Sequence, residues 1–200
     1  GRLTNLTDAS GHTNAYQYNY NDLLIKEIDA LGGETTYEYD AELNLISSMD
    51  ANGHQTFYST NILKTTNNVT DALGNTSYFI YDRNGNRISV IDARGNVESK
   101  TYDALDRIIS VTDALGNTEY YEYDSVGNLI SRTDKRGYVT RYEYDALDRL
   151  ISITDALGNT ESYTYDALGN MISVTDENGH ITTYGYDNLS RLVCVRDALG

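Results

Sequence analysis

Two hundred residues would ordinarily suggest one or two domains, but composition narrows the possibilities at once. Thirty acidic residues against 15 basic ones leave a formal charge of −15. That excess opposes binding to nucleic-acid backbones and offers anionic lipid no polybasic handle. Nineteen tyrosines with a steady supply of Ile, Leu and Val argue against disorder, and no run is long and apolar enough to span a bilayer.

The chain is serial. At steps of 21 residues Asp stands at 8, 29, 50, 71, 92, 113, 134, 155, 176 and 197, with Gly three residues after each, from Gly11 to Gly200. A fixed period of this size is the signature of a repeat array, here about nine repeats over 1–200, expected to be cut at both ends. No signal peptide is visible, and Gly1 already falls inside a repeat.

Each period reads as turn, strand, turn, strand. The first turn is Asp-x-x-Gly, as in Asp71-Ala72-Leu73-Gly74. Asp at its first position can bond the backbone two residues on, and Gly closes it at positive φ, a common three-residue hairpin connection. The strand that follows carries Tyr residues two apart on one face: Tyr16/Tyr18, Tyr37/Tyr39, Tyr121/Tyr123, Tyr142/Tyr144, Tyr163/Tyr165 and Tyr184/Tyr186. The second turn comes next, as in Asp82-Arg83-Asn84-Gly85, and here Gly gives way to Asp22, Asp106 and Asp148. Between Asp106 and Gly169 the two forms alternate, pointing to a two-period superrepeat.

The second strand is β-branched. Ile25, Ile46, Ile88, Ile109, Ile130, Ile151 and Ile172, then Val193, hold one phase. Val69, Val90, Val111, Ile153, Val174 and Val195 lie two residues further on and are expected on the same face. Asn52 to Thr70 is degenerate, with Thr60-Asn61 for Tyr-Asp and Asn67 for Ile, so the sheet is expected to be weakest around 62–68. Lys100 interrupts the Tyr phase beside Tyr102. The expectation is an all-β fold: a continuous, curved antiparallel sheet of about eighteen strands, roughly 85 Å long at about 4.8 Å per strand.

The units Tyr121-Glu122-Tyr123-Asp124-Ser125-Val126-Gly127-Asn128-Leu129 and Tyr142-Glu143-Tyr144-Asp145-Ala146-Leu147-Asp148-Arg149-Leu150 closely resemble the Rhs or YD-repeat family, and the resemblance covers essentially the whole chain. The family includes bacterial Rhs proteins, wall-associated proteins, C components of insecticidal toxin complexes and teneurins. The resemblance implies a spiral shell of hairpins that encloses a C-terminal toxin, with secretion or surface display. Further YD repeats and an Rhs core with its payload would be partners in the same parent chain. No self-cleavage segment, plug or toxin domain is present here, so autoproteolysis attaches to no residue.

Site residues are therefore expected to be structural: Tyr39, Asp40, Tyr81, Asp82, Tyr102, Asp103, Tyr123, Asp124, Tyr144, Asp145, Tyr165, Asp166, Tyr186 and Asp187, with Gly74, Gly95, Gly116, Gly137, Gly158 and Gly179. The Asp residues could suggest a calcium ladder, but one carboxylate per turn, a repeat away from the next, favours turn capping. The Tyr ladder could stack on sugar rings, making a glycan-binding or adhesive surface the alternative function, but it fits sheet packing better. His12, His54 and His180 follow the turn Gly where Asn75, Asn96, Asn117 and Asn159 stand elsewhere, so they read as turn residues. Cys194 fills a slot held by Ser89, Ser110, Ser131, Ser152 and Ser173. No catalytic residue, cofactor or metal is expected, because every carboxylate is repeated and none is singular.

Overall fold

The computed structural model describes residues 2–62 and 64–199, so Gly1, Leu63 and the expected turn glycine Gly200 lie outside the described residues. Every regular element among the described residues is a strand. The chain divides into two compact units, one through Ser99 and one from Lys100 on. The first holds β1 (Asn5–Thr7), β2 (Thr13–Tyr18), β3 (Leu24–Ile28), β4 (Glu34–Tyr39), β5 (Leu45–Met49), β6 (Gln55–Thr60), β7 (Thr66–Thr70), β8 (Thr76–Tyr81) and β9 (Arg87–Ile91). The strand β10 (Val97–Tyr102) straddles the division, and its first residues pair with β9. The second unit holds β11 (Ile108–Thr112), β12 (Thr118–Tyr123), β13 (Leu129–Thr133), β14 (Val139–Tyr144), β15 (Leu150–Thr154), β16 (Thr160–Tyr165), β17 (Met171–Thr175), β18 (Ile181–Tyr186) and β19 (Leu192–Arg196).

Within each unit every strand pairs antiparallel with the next in sequence, so each is a simple meander. The all-β hairpin architecture is thus as expected, with nineteen strands among the described residues against about eighteen expected. The turns explain it locally. In the first type, Asp113 N–H donates to the Asn117 carbonyl and Gly116 N–H donates to the Asp113 carbonyl, leaving three residues between the closing pair. Gly116 stands at φ +85°, the left-handed region that a residue without Cβ enters freely. The second turn has the same geometry, as Asp124 with Asn128 and Gly127 with Asp124 show.

Register departs from the sequence expectation at one point in each period. Across β12–β13 Glu122 pairs with Ser131, but Tyr123 pairs with Leu129, so Ile130 is left over as a bulge. The same skip omits Ile25, Ile46, Asn67, Ile88, Ile151, Ile172 and Val193. The isoleucine column therefore does not continue an unbroken alternation with the valines two residues on. Ile46, Ile130 and Ile172 are exposed, whereas Val90, Val111 and Val174 are half-buried. Pairings around the first turn, such as β13–β14, show no skip.

Neither unit has an ordinary core. Among the described residues no hydrophobic side chain is fully buried, and the one buried residue is Ser47, whose hydroxyl donates to Glu38 Oε2 at 2.8 Å. In the degenerate segment, Thr65 Oγ1 and Asn67 Oδ1 are buried without a hydrogen-bond partner. Asn67 stands at the bulge that other periods give to an aliphatic residue.

Candidate functional site

The chemistry-bearing side chains fall into two groups, the turn carboxylates and the tyrosine face. At the turns the carboxylate is a backbone chelate. Asp71 Oδ1 accepts from Leu73 N–H and Asn75 N–H, both at 2.9 Å, and its Oδ2 accepts from Asn75 Nδ2 at 2.8 Å. Where His replaces Asn the geometry persists: His54 N–H donates to Asp50 Oδ1 at 2.9 Å, and its Nδ1 lies 3.0 Å from Asp50 Oδ2. This explains why His12, His54 and His180 share one place in the repeat. Asn75's amide is the main reason Asp71 titrates below the usual carboxylate range, and the His54 backbone N–H does the same for Asp50. Asp113, also held by the Lys135 ammonium at 2.9 Å, is pushed down to about 2. Among the described residues no three His, Cys, Asp or Glu side chains converge as they would around a metal.

The structure places Asp40, Asp82, Asp103, Asp124, Asp145, Asp166 and Asp187 at the first position of the second turns, each accepting the N–H four residues on. Gly74, Gly95, Gly116, Gly137, Gly158 and Gly179 close the first turns at φ between 83° and 88°. Sequence reading found three non-glycine residues in the equivalent second-turn place, Asp22, Asp106 and Asp148. The structure adds Leu43, Lys64 and Ser190, at φ +68°, +59° and +58°. Leu43 gives no chemical signal of that conformation; only its place in the period does.

Tyr39, Tyr81, Tyr102, Tyr123, Tyr144, Tyr165 and Tyr186 end their strands and are half-buried. Along this series the described hydroxyl bonds reach back 15 residues to a main-chain carbonyl, as that of Tyr18 does to Leu3. Tyr39 donates to Leu24 at 2.9 Å, Tyr123 to Ile108 at 2.9 Å, Tyr144 to Leu129 at 3.1 Å, Tyr165 to Leu150 at 2.7 Å and Tyr186 to Met171 at 3.0 Å. Each carbonyl begins a strand where ladder pairing has stopped: β13–β14 pairs end at Ser131 with Arg141, short of Leu129. The phenol therefore supplies a hydrogen bond that the backbone no longer makes. The other tyrosine of each pair packs along the same face, where burial followed by a hydrogen bond to Glu161 pushes Tyr163 up to about 12.

A feature absent from the predicted site explains the two-period alternation. Arg107, after the Asp-closed turn, donates from Nε to Asp103 Oδ2 at 2.7 Å and from Nη1 to the Asp124 carbonyl at 3.1 Å. Its guanidinium lies 4.6 Å from the centre of the Tyr123 ring. Arg149 repeats this with Asp145, the Asp166 carbonyl and Tyr165 at 4.8 Å. A Cβ on Gly127 would stand 3.8 Å from Arg107 Nη1. Onward in the same direction, Asn128 Nδ2 donates to Asp148 Oδ1 at 3.0 Å. An Asp-Arg turn thus reaches forward to a Gly-Asn turn, which reaches forward to the next Asp-Arg turn. The alternation of Asp106/Arg107, Gly127/Asn128, Asp148/Arg149 and Gly169/Asn170 was visible in the sequence; its cause lay in hydrogen bonds spanning 17 and 20 residues.

This hairpin array has solved counterparts. Over 96% of its length the chain is similar to part of a crystal structure of TcdB2-TccC3-Cdc42, at 16% identity and a TM-score of 0.58. A crystal structure of TcdB2-TccC3 is matched over 98% of the chain at 15% identity and 0.57. The form without its hypervariable C-terminal region is matched over 92% at 17% and 0.57. The chain spans 13–14% of the length of those proteins, and at such identities the likeness establishes the fold. No curated protein matches it significantly. The RHS Repeat family profile matches residues 18–55, 81–118, 123–160, 144–181 and 165–200, together well over half of the sequence. With its turns, tyrosines and period accounted for, the chain belongs to the RHS-repeat family.

Proposed function

We propose that this chain is a wall segment of the shell of a secreted or surface-displayed bacterial Rhs-type toxin, and that the shell separates a C-terminal payload from its surroundings. The observation that carries the reading is the serial character of the chemistry. The turn carboxylates chelate their own backbone and the bonded phenols cap carbonyls of their own sheet, so these groups serve the sheet. Resemblance to TcdB2-TccC3 supports the same reading, since one of those structures is described as lacking a hypervariable C-terminal region. Partners are then further repeats, an Rhs core and a payload in the parent chain, and the segment itself is not an enzyme. Net charge of −15 favours solubility of a large particle.

The glycan-binding alternative needs the paired tyrosines free to stack and bond. Tyr165 is half-buried and spends its hydroxyl on Leu150, which favours the wall. The test is limited proteolysis of the parent protein, read by mass spectrometry. The expected result is a terminal domain beyond the repeats that resists digestion until the repeats are cut. A parent chain ending without any such domain, or one whose domain is digested as fast as an exposed linker, overturns the proposal.

A further inference from the structure

The 42-residue alternation also marks the opposite rim, where Lys135 donates to Asp113 Oδ2 of the turn before it at 2.9 Å. First turns of the second unit run Asp113-Ala114-Leu115-Gly116, Asp134-Lys135-Arg136-Gly137, Asp155-Ala156-Leu157-Gly158, Asp176-Glu177-Asn178-Gly179 and Asp197-Ala198-Leu199. All lie at one end of the strands, about 10 Å apart, because successive turns are separated by two strands. The third turn position is therefore leucine at every second turn and polar between. Leu115, Leu157 and Leu199 are 88%, 83% and 97% exposed, more than Leu147 and Leu168 on the other rim at 70% and 74%. Beside Leu157 the rim is hollowed, the floor being Tyr138, Val139, Arg141 and Thr154. Apolar knobs thus recur along this rim at every second turn, with polar tips between them.

We infer that this rim pairs with the same rim of a second copy of the chain, antiparallel, about a two-fold axis at the turn Asp155–Gly158. The register follows from the sequence. With Leu157 facing its own copy, Leu115 faces Leu199, and Arg136 comes to the tip Glu177-Asn178 twice over, Lys135 being held by Asp113 of its own chain. A two-fold contact requires such self-complementarity, and here both the apolar and the charged positions satisfy it. Centring the axis on the turn Asp134–Gly137 instead would bring Lys135 and Arg136 against themselves.

The inference does not depend on the shell reading. It is tested by sedimentation velocity on the whole chain across a concentration series, with far-UV circular dichroism to confirm that each variant stays folded. The expected result is a reversible dimer that Leu157→Glu abolishes and that Leu147→Glu, on the opposite rim, leaves unchanged. Arg136→Glu alone and Glu177→Arg alone are each expected to weaken dimerisation about tenfold, and the two together to restore it. A wild-type chain that stays monomeric throughout overturns the inference. So does a dimer indifferent to Leu157→Glu, or one that the double charge reversal fails to restore.

Discussion

At the scale of the residue the decisive group is the turn aspartate, and its ionisation ties the fold to pH. Its folded pKa lies below the unfolded value of about 3.9 in turn after turn, for Asp113 at about 2 because the Lys135 ammonium and the surrounding donors favour the carboxylate. A depressed carboxylate contributes its stability above the unfolded pKa and loses it as pH falls through the folded one. The window is therefore about pH 4 down to 2, and urea midpoints followed by circular dichroism are expected to fall steadily across it. Midpoints that rise on acidification would contradict the chelate. A second residue-scale prediction concerns Leu43, held at φ +68° where an L side chain is strained by about 1–2 kcal/mol. Leu43→Gly relieves that strain at a smaller cost in unfolded-state entropy, so urea unfolding is expected to show a gain of about 0.5–1 kcal/mol.

At the scale of the element, the hairpin is closed by main chain at its turn and by a phenol at its far end. Tyr144→Phe keeps the ring on the sheet and leaves the Leu129 carbonyl without its donor. A loss of about 0.5–1.5 kcal/mol in chemical denaturation is expected, and no loss would mean that water replaces the hydroxyl fully. Much of this element was legible beforehand. Asp71-Ala72-Leu73-Gly74 announces its turn type, and Tyr163/Tyr165 announce a shared face, because both signals are local. The destination of the hydroxyl was not legible, since it depends on where ladder pairing stops 15 residues earlier. Arg107 and Asn128 escaped notice for a related reason. Their partners sit in the neighbouring period, and nothing within one period marks an arginine as bridging rather than solvated.

At the scale of the whole molecule, a fixed interval of 21 residues organised the reading, and the family profile and the strand order agree with it. What that reading passed over is that 21 is odd. Side chains alternate between two faces, so positions one interval apart would land on opposite faces of a perfectly regular sheet. The leftover residue at each second-turn hairpin, Ile130 among them, restores the parity. One unpaired residue per period is thus an arithmetic necessity for keeping the tyrosines that end the strands on one side. The consequence is an asymmetry in how the chain tolerates shortening. Excising Ile130 alone leaves Glu122 opposite Ser131 and every later residue facing as before, so cooperative unfolding is expected to survive with a modest loss. Excising Arg132 inverts everything downstream unless the sheet gives up a neighbouring pair, and the melting transition is expected to broaden or vanish. A twenty-residue variant unit, lacking its isoleucine, could therefore be spliced among its longer siblings without turning the sheet inside out.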